Sequence, residues 1–125
     1  MKRQILLLTG TTGFVGYKFL LFALTKNFLV IDILRNKNKK NKKINSLKKS
    51  HPTKYKNIFF SNNIDLSNKL KYIKADCFIN FATLYNNTHS HYQIPDFINS
   101  NILFPTIIYD LISGNTKKMI NFGSM

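Results

Sequence analysis

The stretch Thr9-Gly10-Thr11-Thr12-Gly13-Phe14-Val15-Gly16 joins two apolar segments near the start of the chain. Residues 5–8 before it are typical of a strand buried in a parallel sheet, and Phe14–Leu24 after it has the composition of a well-covered helix. In chain order, we expect the three glycines to allow a tight turn off the strand, to let the backbone approach an anion, and to let the helix pack closely. A strand, a glycine turn and a helix in this order predict a phosphate-binding turn.

The overall composition indicates one small domain. The chain has 125 residues, of which 44% are hydrophobic, so it can bury a modest core. Its single cysteine, Cys77, excludes a disulfide framework and a cysteine metal cluster. The N-terminal apolar run is too short for a signal peptide, and Lys26-Asn27 splits the apolar stretch of residues 19–34. We therefore expect a cytoplasmic protein with no membrane partner.

The net charge of +14 is unusual, and lysines concentrate in residues 35–56. We predict that this segment is a basic loop containing one short helix near residues 44–49. Such a charge is compatible with a nucleic-acid partner. It is also what a chain rich in Lys, Asn, Ile, Phe and Tyr, the residues of A/T-rich codons, would carry. We favour the compositional explanation, because the segment lacks the interleaved aromatic residues of a single-strand-binding surface.

Apolar runs and turn signals along the rest of the chain predict alternating strands and helices. We expect strands at residues 3–8, 28–34, 57–61, 76–81 and 118–122, and helices at residues 13–26, 66–74 and 97–113. Asp65 or Ser67 would cap the second helix, and Asp96 would begin the third. Pro105 should kink this third helix. Its apolar stripe would comprise Ile98, Ile102, Pro105, Ile108, Leu111 and Ile112.

Together these elements resemble the extended short-chain dehydrogenase/reductase family, which comprises NAD(P)-dependent sugar-nucleotide epimerases, dehydratases and reductases. Four motifs carry the resemblance in the family's order. They are the glycine turn, Asp65-Leu66 after the third strand, Asn80-Phe81-Ala82-Thr83 at the end of the fourth strand, and Asn99-Ser100-Asn101-Ile102 followed by Thr106 in the long helix. Pro105 stands where the family usually has glycine. The resemblance implies a Rossmann-type doubly wound parallel α/β sheet with strand order 3-2-1-4-5.

The resemblance also implies a bound NADP or NAD, with Asp65 bonding the adenine amine. The implied cofactor-binding residues are Gly10, Thr11, Thr12, Gly13, Phe14, Val15, Gly16, Arg35, Asp65, Leu66, Phe81, Ala82, Thr83 and Asn101. Counting along the chain places Leu34 and then Arg35 at the position that reads the adenosine ribose. An arginine there favours the 2′-phosphate of NADP, whereas Asp32, the only nearby carboxylate, lies two residues too early. We therefore favour NADP over NAD. The alternative is that Arg35 merely begins the basic loop.

The family's chemistry requires a Ser or Thr after the fifth strand and a Tyr-x-x-x-Lys on the next helix. Ser124 is the only candidate for the hydroxyl, and no Tyr-x-x-x-Lys follows residue 122. We therefore expect the chain to be the NAD(P)-binding half of a nucleotide-sugar enzyme, inactive alone. The full-length relative would transfer a hydride between nicotinamide and a sugar carbon. We also expect an exposed edge strand that favours self-association, such as a homodimer.

Two alternatives to the enzyme half follow from the same residues. One is a non-catalytic dinucleotide-binding module, and the more distant one is a basic nucleic-acid binder. His89 and His91 alternate in a polar loop with no third ligand nearby, so we interpret them as solvated loop residues and expect no metal site.

Overall fold

One parallel sheet organises residues 2–82 and 90–122, the part of the chain that the computed structural model describes. Its five strands are β1 (Gln4–Thr9), β2 (Phe28–Arg35), β3 (Tyr55–Phe60), β4 (Ala75–Asn80) and β5 (Thr116–Asn121). They lie in the order β3-β2-β1-β4-β5, and every neighbouring pair is parallel. The predicted Rossmann-type α/β fold and strand order are therefore confirmed.

Helices connect the strands in the described part of the chain. They are α1 (Phe14–Leu24), α2 (Lys42–Ser50), α3 (Asn63–Leu70), α4 (Ile94–Ile98) and α5 (Phe104–Ile112). Short 3-10 turns occur at Asn36–Lys40, His91–Gln93 and Ser113–Asn115, and a π-helical segment, Asn99–Leu103, joins α4 to α5. None of these helices is long and apolar enough to cross a bilayer.

The sheet buries apolar side chains on both faces, which explains the nearly continuous apolar runs of β1 and β2. On one face, Leu7, Ile31 and Phe78 pack with residues of α3 and α5. On the other face, the alternate residues of the same strands pack with α1 and with Ile44 of α2. Because Thr9 pairs with both Ile33 and Asn80, the carboxyl ends of β1, β2 and β4 lie level.

Between β2 and β3 the structure has more helix than the sequence predicts. Residues 35–56 are predicted to be a loop with one short helix near residues 44–49. The structure has that helix, longer at both ends, as α2, together with the 3-10 turn before it, and β3 begins at Tyr55. The Asn41 side chain caps α2 by accepting a 3.1 Å hydrogen bond from the Ile44 amide. Ile44 is only 1% exposed and Leu47 packs on the same core cluster, so these two apolar residues hold the lysine-rich helix while its lysines remain solvated.

The predicted long helix is interrupted. It begins at Ile94, earlier than expected, after a 3-10 turn capped by Ser90 and Gln93, and Asp96 lies in its first turn. The π-helical segment precedes Pro105, which has no N–H with which to continue the α-helical ladder. Of the predicted apolar stripe, Ile108 and Ile112 are buried, whereas Ile98 and Ile102 are exposed.

Two further expectations about helices need correction. Phe14 and Phe22 of α1 are 79% and 52% exposed, so this helix is covered on one face only. In α3 the Asn62 side chain provides the N-terminal cap, accepting from the Asp65 amide at 2.9 Å, and Asp65 lies in the first turn.

At the other end of the fold, β5 forms an edge of the sheet, as expected.

Replacing Ile108 with Ala should lower the free energy of unfolding by about 2–5 kcal/mol, because it opens a cavity at a fully buried site. Ile102→Ala is the matched control. Its side chain is 61% exposed, so the change should stay within about 0.5 kcal/mol. Urea unfolding followed by circular dichroism measures both. Equal effects of the two substitutions would contradict this description of the core.

Candidate functional site

The glycine turn after β1 folds back tightly on itself. Gly10 has φ of +76°, a conformation that glycine adopts without strain. The Gly13 amide donates a 3.2 Å hydrogen bond to the Gly10 carbonyl, closing the turn. A Cβ on Gly10 would lie 2.3 Å from the Ala82 nitrogen, so the backbone after β4 leaves no room for a side chain. The first glycine therefore allows the tight turn that the sequence predicts.

Gly16 lets the first turn of α1 contact the end of β1 directly. A Cβ at this position would lie 2.1 Å from the Gly10 carbonyl oxygen and 3.1 Å from the Phe81 Cβ. Gly13 differs from both, because a Cβ there would meet only the Gly10 oxygen, at an ordinary 3.5 Å. The protein itself therefore requires glycine at positions 10 and 16, but it has space for a methyl group at position 13.

The N-terminus of α1 is open to solvent. Gly13 is its N-cap residue, no side chain caps it, and no acidic residue lies in its first turn. The first amides of a helix have no partner within the helix, and they carry the positive end of its dipole. Phe14 and Val15 are exposed at this end. The arrangement suits an anion lying across the glycine turn.

A buried polar cluster fixes the strand ends around the turn. The Asn80 Oδ1 accepts hydrogen bonds from the Thr9 hydroxyl at 2.5 Å and from the Ala82 amide at 3.1 Å. The Asn80 Nδ2 donates to the Asn121 Oδ1 at 2.7 Å. One amide side chain thus ties together the carboxyl ends of β1, β4 and β5. It also holds the backbone of Ala82 against the glycine turn.

Two adjoining cavities, which we call the groove, open at these strand ends. Their volumes are about 160 and 250 Å³. The glycine turn and the segment after β4 contribute to both cavities, and the end of β2 supplies Arg35 to both. The lining residues are Gly10, Thr11, Thr12, Gly13, Ile33, Leu34, Arg35, Lys37, Asn38, Phe60, Phe81, Ala82, Ser100 and Phe104. The groove therefore lies where strand order reverses beside β1, the usual ligand position in open α/β sheets.

Arg35 lies against an aromatic pair at the groove. The Phe60 and Phe104 rings stack with centroids 5.6 Å apart and an interplanar angle of 16°. The Arg35 guanidinium carbon lies 5.3 Å from the centre of the Phe60 ring and 5.4 Å from that of Phe104. These contacts restrain the guanidinium while leaving the residue exposed. Arg35 is therefore a positioned cation at the end of β2.

Asp32 lies outside the groove, in the interior beneath the turn. The Thr11 hydroxyl lies 2.9 and 2.7 Å from its two carboxylate oxygens, and the Tyr55 hydroxyl lies 2.5 Å from Oδ2. Asp32 and Thr11 are both 0% exposed. Burial raises the pKa of the Asp32 carboxyl to about 7, although the hydrogen bonds from Tyr55 and Thr11 act to lower it. Burial and the neighbouring Asp32 also raise the pKa of Tyr55.

The groove does not include every residue that the sequence predicts for cofactor binding. Asp65 bonds within its own turn: its Oδ2 accepts from the Ser61 amide at 2.9 Å and pairs with Lys69 at 3.3 Å. The Ser61 hydrogen bond is the main reason that the pKa of Asp65 lies below its ordinary value. Leu66 is a fully buried core residue. The adenine-binding role of Asp65 and Leu66 stays a prediction.

Asn101 lines a different cavity, of about 370 Å³, between the π-helical segment and the ends of β4 and β5. Thr83 and Ser124, the remaining predicted site residues, lie outside the described part of the chain, as does His89. Within residues 2–82 and 90–122, no group of three or more His, Cys, Asp or Glu side chains is placed to hold a metal ion.

Sequence reasoning missed six residues of the groove: Ile33, Lys37, Asn38, Phe60, Ser100 and Phe104. Phe60 ends β3, and residues at the carboxyl ends of parallel strands meet at one edge of a sheet, so its place could have been inferred. The positions of Phe104 and Ser100 could not have been inferred, because the direction of their side chains depends on the π-helical segment between α4 and α5.

The fold and the groove define a Rossmann-type nucleotide-binding domain. The model of the NAD dependent epimerase/dehydratase family matches residues 6–125, and the chain belongs to this family. A search of curated protein sequences finds no match.

Solved structures of short-chain dehydrogenases share the fold. A putative short-chain dehydrogenase/reductase from Burkholderia multivorans with bound NADP superposes with a TM-score of 0.78 at 16% identity, over 92% of this chain and 55% of that one. Serine dehydrogenase from Escherichia coli superposes with a TM-score of 0.77 at 18% identity, over 96% of this chain and 61% of that one. For a short-chain dehydrogenase from Streptomyces avermitilis the TM-score is 0.79 at 13% identity, over 98% of this chain and 50% of that one. The chain thus spans about half to three-fifths of the length of these proteins.

Gly16→Ala should destabilise the protein by at least about 2 kcal/mol, because the added methyl group would overlap the Gly10 carbonyl. Gly114→Ala is the matched control, since a Cβ there meets nothing within 4 Å. We expect it to change stability by no more than about 0.5 kcal/mol. Thermal and urea unfolding measure both variants. A fully stable Gly16→Ala protein would refute the close packing of α1 on the turn.

Proposed function

We propose that the groove binds NADP or NAD, with the pyrophosphate on the glycine turn and the adenosine toward Arg35. The observation that carries the proposal is that one groove joins the glycine turn, the end of β2 and the backbone of Ala82. Membership of the NAD dependent epimerase/dehydratase family supports the same ligand class.

The pyrophosphate would be held by backbone N–H groups and not by a charged side chain. The uncapped N-terminus of α1 supplies donors and a positive partial charge. Gly13 is the informative position, because the protein has room for a methyl group there. We interpret its lack of a side chain as space for the ligand.

We propose NADP in preference to NAD. Leu34 occupies the position where a carboxylate would bond the ribose 2′-hydroxyl of NAD, and Arg35 follows it at the groove. Lys37 lines the same cavity and adds a second cation. The one carboxylate of β2, Asp32, is buried and bonded to Thr11 and Tyr55, so it is not presented to a ribose.

We further propose that the whole protein acts on a nucleotide sugar. When bound, the nicotinamide ring would exchange a hydride with a sugar carbon. Within this chain the groove residues would bind and orient the dinucleotide. Ser124 is the proposed hydroxyl contact to the reacting carbonyl. This part of the proposal rests on family membership and on the motif order.

Gly13→Ala should fold normally yet bind cofactor at least about tenfold more weakly, because its methyl group would occupy the position of the pyrophosphate. Titration of the purified chain with NADPH and NADH, followed by fluorescence, measures the affinity. Gly114→Ala, far from steric contacts, is the matched control and should bind like the unmodified chain. If the folded chain shows no saturable binding to either nucleotide, the proposal fails.

Arg35→Met should weaken NADPH binding by about tenfold or more, because it removes a charge-assisted hydrogen bond to the 2′-phosphate. NADH affinity should change by less than about threefold, since methionine keeps an apolar stem on the rings of Phe60 and Phe104. Lys39→Ala removes the same charge from a side chain that lies over Phe59 and does not line the groove. It should leave both affinities nearly unchanged. Equal losses for NADPH and NADH would contradict the assignment of Arg35.

A further inference from the structure

The buried carboxyl of Asp32 is joined directly to the glycine turn. The Thr11 hydroxyl contacts both carboxylate oxygens, at 2.9 and 2.7 Å, and Thr11 is the second residue of the turn. Thr11 and Asp32 are both 0% exposed, so the contact is shielded from bulk solvent. The fold therefore places an ionisable group immediately beneath the predicted pyrophosphate position.

Within residues 2–82 and 90–122, no cation is buried beside Asp32 to hold it ionised. Tyr55 of β3 faces it, and Tyr17 of α1 is near enough to raise the pKa of Tyr55. On α2, Lys43 lies 5.2 Å from the centre of the Tyr17 ring but is exposed. Lys18 of α1, Lys26 just after it, Lys56 of β3 and the other lysines of α2, Lys42, Lys48 and Lys49, are also exposed. Lys54, just before β3, is half-buried and donates to the Leu24 carbonyl at 2.8 Å.

Asp32 is also the only carboxylate in the first half of the fold. The other four acidic residues are Asp65, Asp76, Asp96 and Asp110, which lie on α3, β4, α4 and α5. A protonation step of a carboxyl group beneath the glycine turn can therefore be assigned to one residue.

We propose that Asp32 is a positioning residue that, through the Thr11 hydroxyl, couples dinucleotide binding at the glycine turn to the uptake of a proton. The proposal rests on the dinucleotide site proposed above and adds a linked protonation to it. When Asp32 is neutral, the anion interacts only with the N–H groups of the turn and with the positive end of the α1 dipole. Ionised Asp32 places a negative charge beneath the pyrophosphate in a low-dielectric interior.

The sign of the linkage follows from like-charge repulsion. A bound pyrophosphate disfavours the ionised form of Asp32 and raises its proton affinity further. The pKa of Asp32 in the free protein is already about 7, so its carboxyl is partly ionised at neutral pH. Binding should therefore be accompanied by the uptake of a fraction of a proton. Affinity should therefore fall as pH rises through this pKa. We expect a loss of about tenfold between pH 6 and pH 9.

The experiment is a titration of the full chain with NADH at pH 6, 7, 8 and 9. We choose NADH over NADPH because NADPH carries a 2′-phosphate. The second proton of that phosphate dissociates near pH 6 and would add its own pH dependence to the measured affinity. Calorimetry at pH 7.5 in two buffers of different ionisation enthalpy measures proton uptake directly. We expect a fractional uptake on binding and an affinity that declines with pH.

Three variants assign the effect to Asp32. Asp32→Asn should bind NADH with the affinity of the unmodified chain at pH 6, at every pH, and without proton uptake. Tyr55→Phe removes a hydrogen bond that lowers the pKa of Asp32, so the midpoint of the profile should move up by about one pH unit. Thr11→Ser keeps the hydroxyl and should keep the midpoint. A purely structural role for these residues would change affinity without moving the midpoint.

The possible results distinguish the proton coupling proposed here from the dinucleotide site on which it rests. If the chain binds NADH with the same affinity from pH 6 to pH 9 and takes up no proton, the dinucleotide site stands and the coupling is refuted. If the pH dependence persists in Asp32→Asn, another group is responsible and the proposal is wrong. If Asp32→Asn does not fold, the proposal is tested by the other two measurements. It then requires proton uptake by the unmodified chain and an upward shift of the midpoint in Tyr55→Phe. Absence of NADH binding at every pH would overturn the site itself.

Discussion

The structure depends on one close contact, in which the backbone at Gly10 touches both the first turn of α1 and the segment that follows β4. A Cβ on Gly16 would overlap the Gly10 carbonyl, and one on Gly10 would overlap the backbone of Phe81 and Ala82. Three chain segments can meet at this distance only because two of the residues have no side chain. The turn is consequently built of closely packed backbone, and the uncapped N-terminus of α1 follows it directly.

The order of strands and the position of the turn were predictable because each leaves a local signal. Continuous apolar runs mark strands buried on both faces, and the glycines mark the turn between them. Residues 36–50 show why other parts were not. Their lysines indicate a solvated loop with one short helix near residues 44–49. The burial of Ile44 against the α1 face of the sheet, with Leu47 packed on the same cluster, supports a longer helix over Lys42–Ser50. That contact is tertiary, so periodicity within the segment did not reveal it.

The long helix shows a different limit on prediction. Asn101 is assigned to the cofactor site because residues 99–102 and Thr106 resemble the family's motif, and that role stays a prediction. The π-helical segment, Asn99–Leu103, has a longer repeat and changes the direction in which these residues face. As a result Ser100 lines the groove, while Asn101 lines the cavity beside β5. Pro105 is predicted to kink the helix, and the structure has a π-helical segment, Asn99–Leu103, just before it. The effect of that segment on the direction of neighbouring side chains could not be derived from the sequence.

Charge alone would have been a poor guide to this site. The net charge of +14 attracts any anion, whether a dinucleotide or a nucleic acid, and so affects encounter more than recognition. Lys39 and Lys43 lie over the half-buried rings of Phe59 and Tyr17, away from the groove, whereas Arg35 lies against the Phe60–Phe104 pair where β2 ends at the groove. Asp32, the one acidic residue nearby, is buried beneath the turn and bonded to Thr11 and Tyr55, which are 21 and 23 residues distant in the chain. What distinguishes this edge of the sheet is therefore where a few charges are fixed, and much less how many the surface carries.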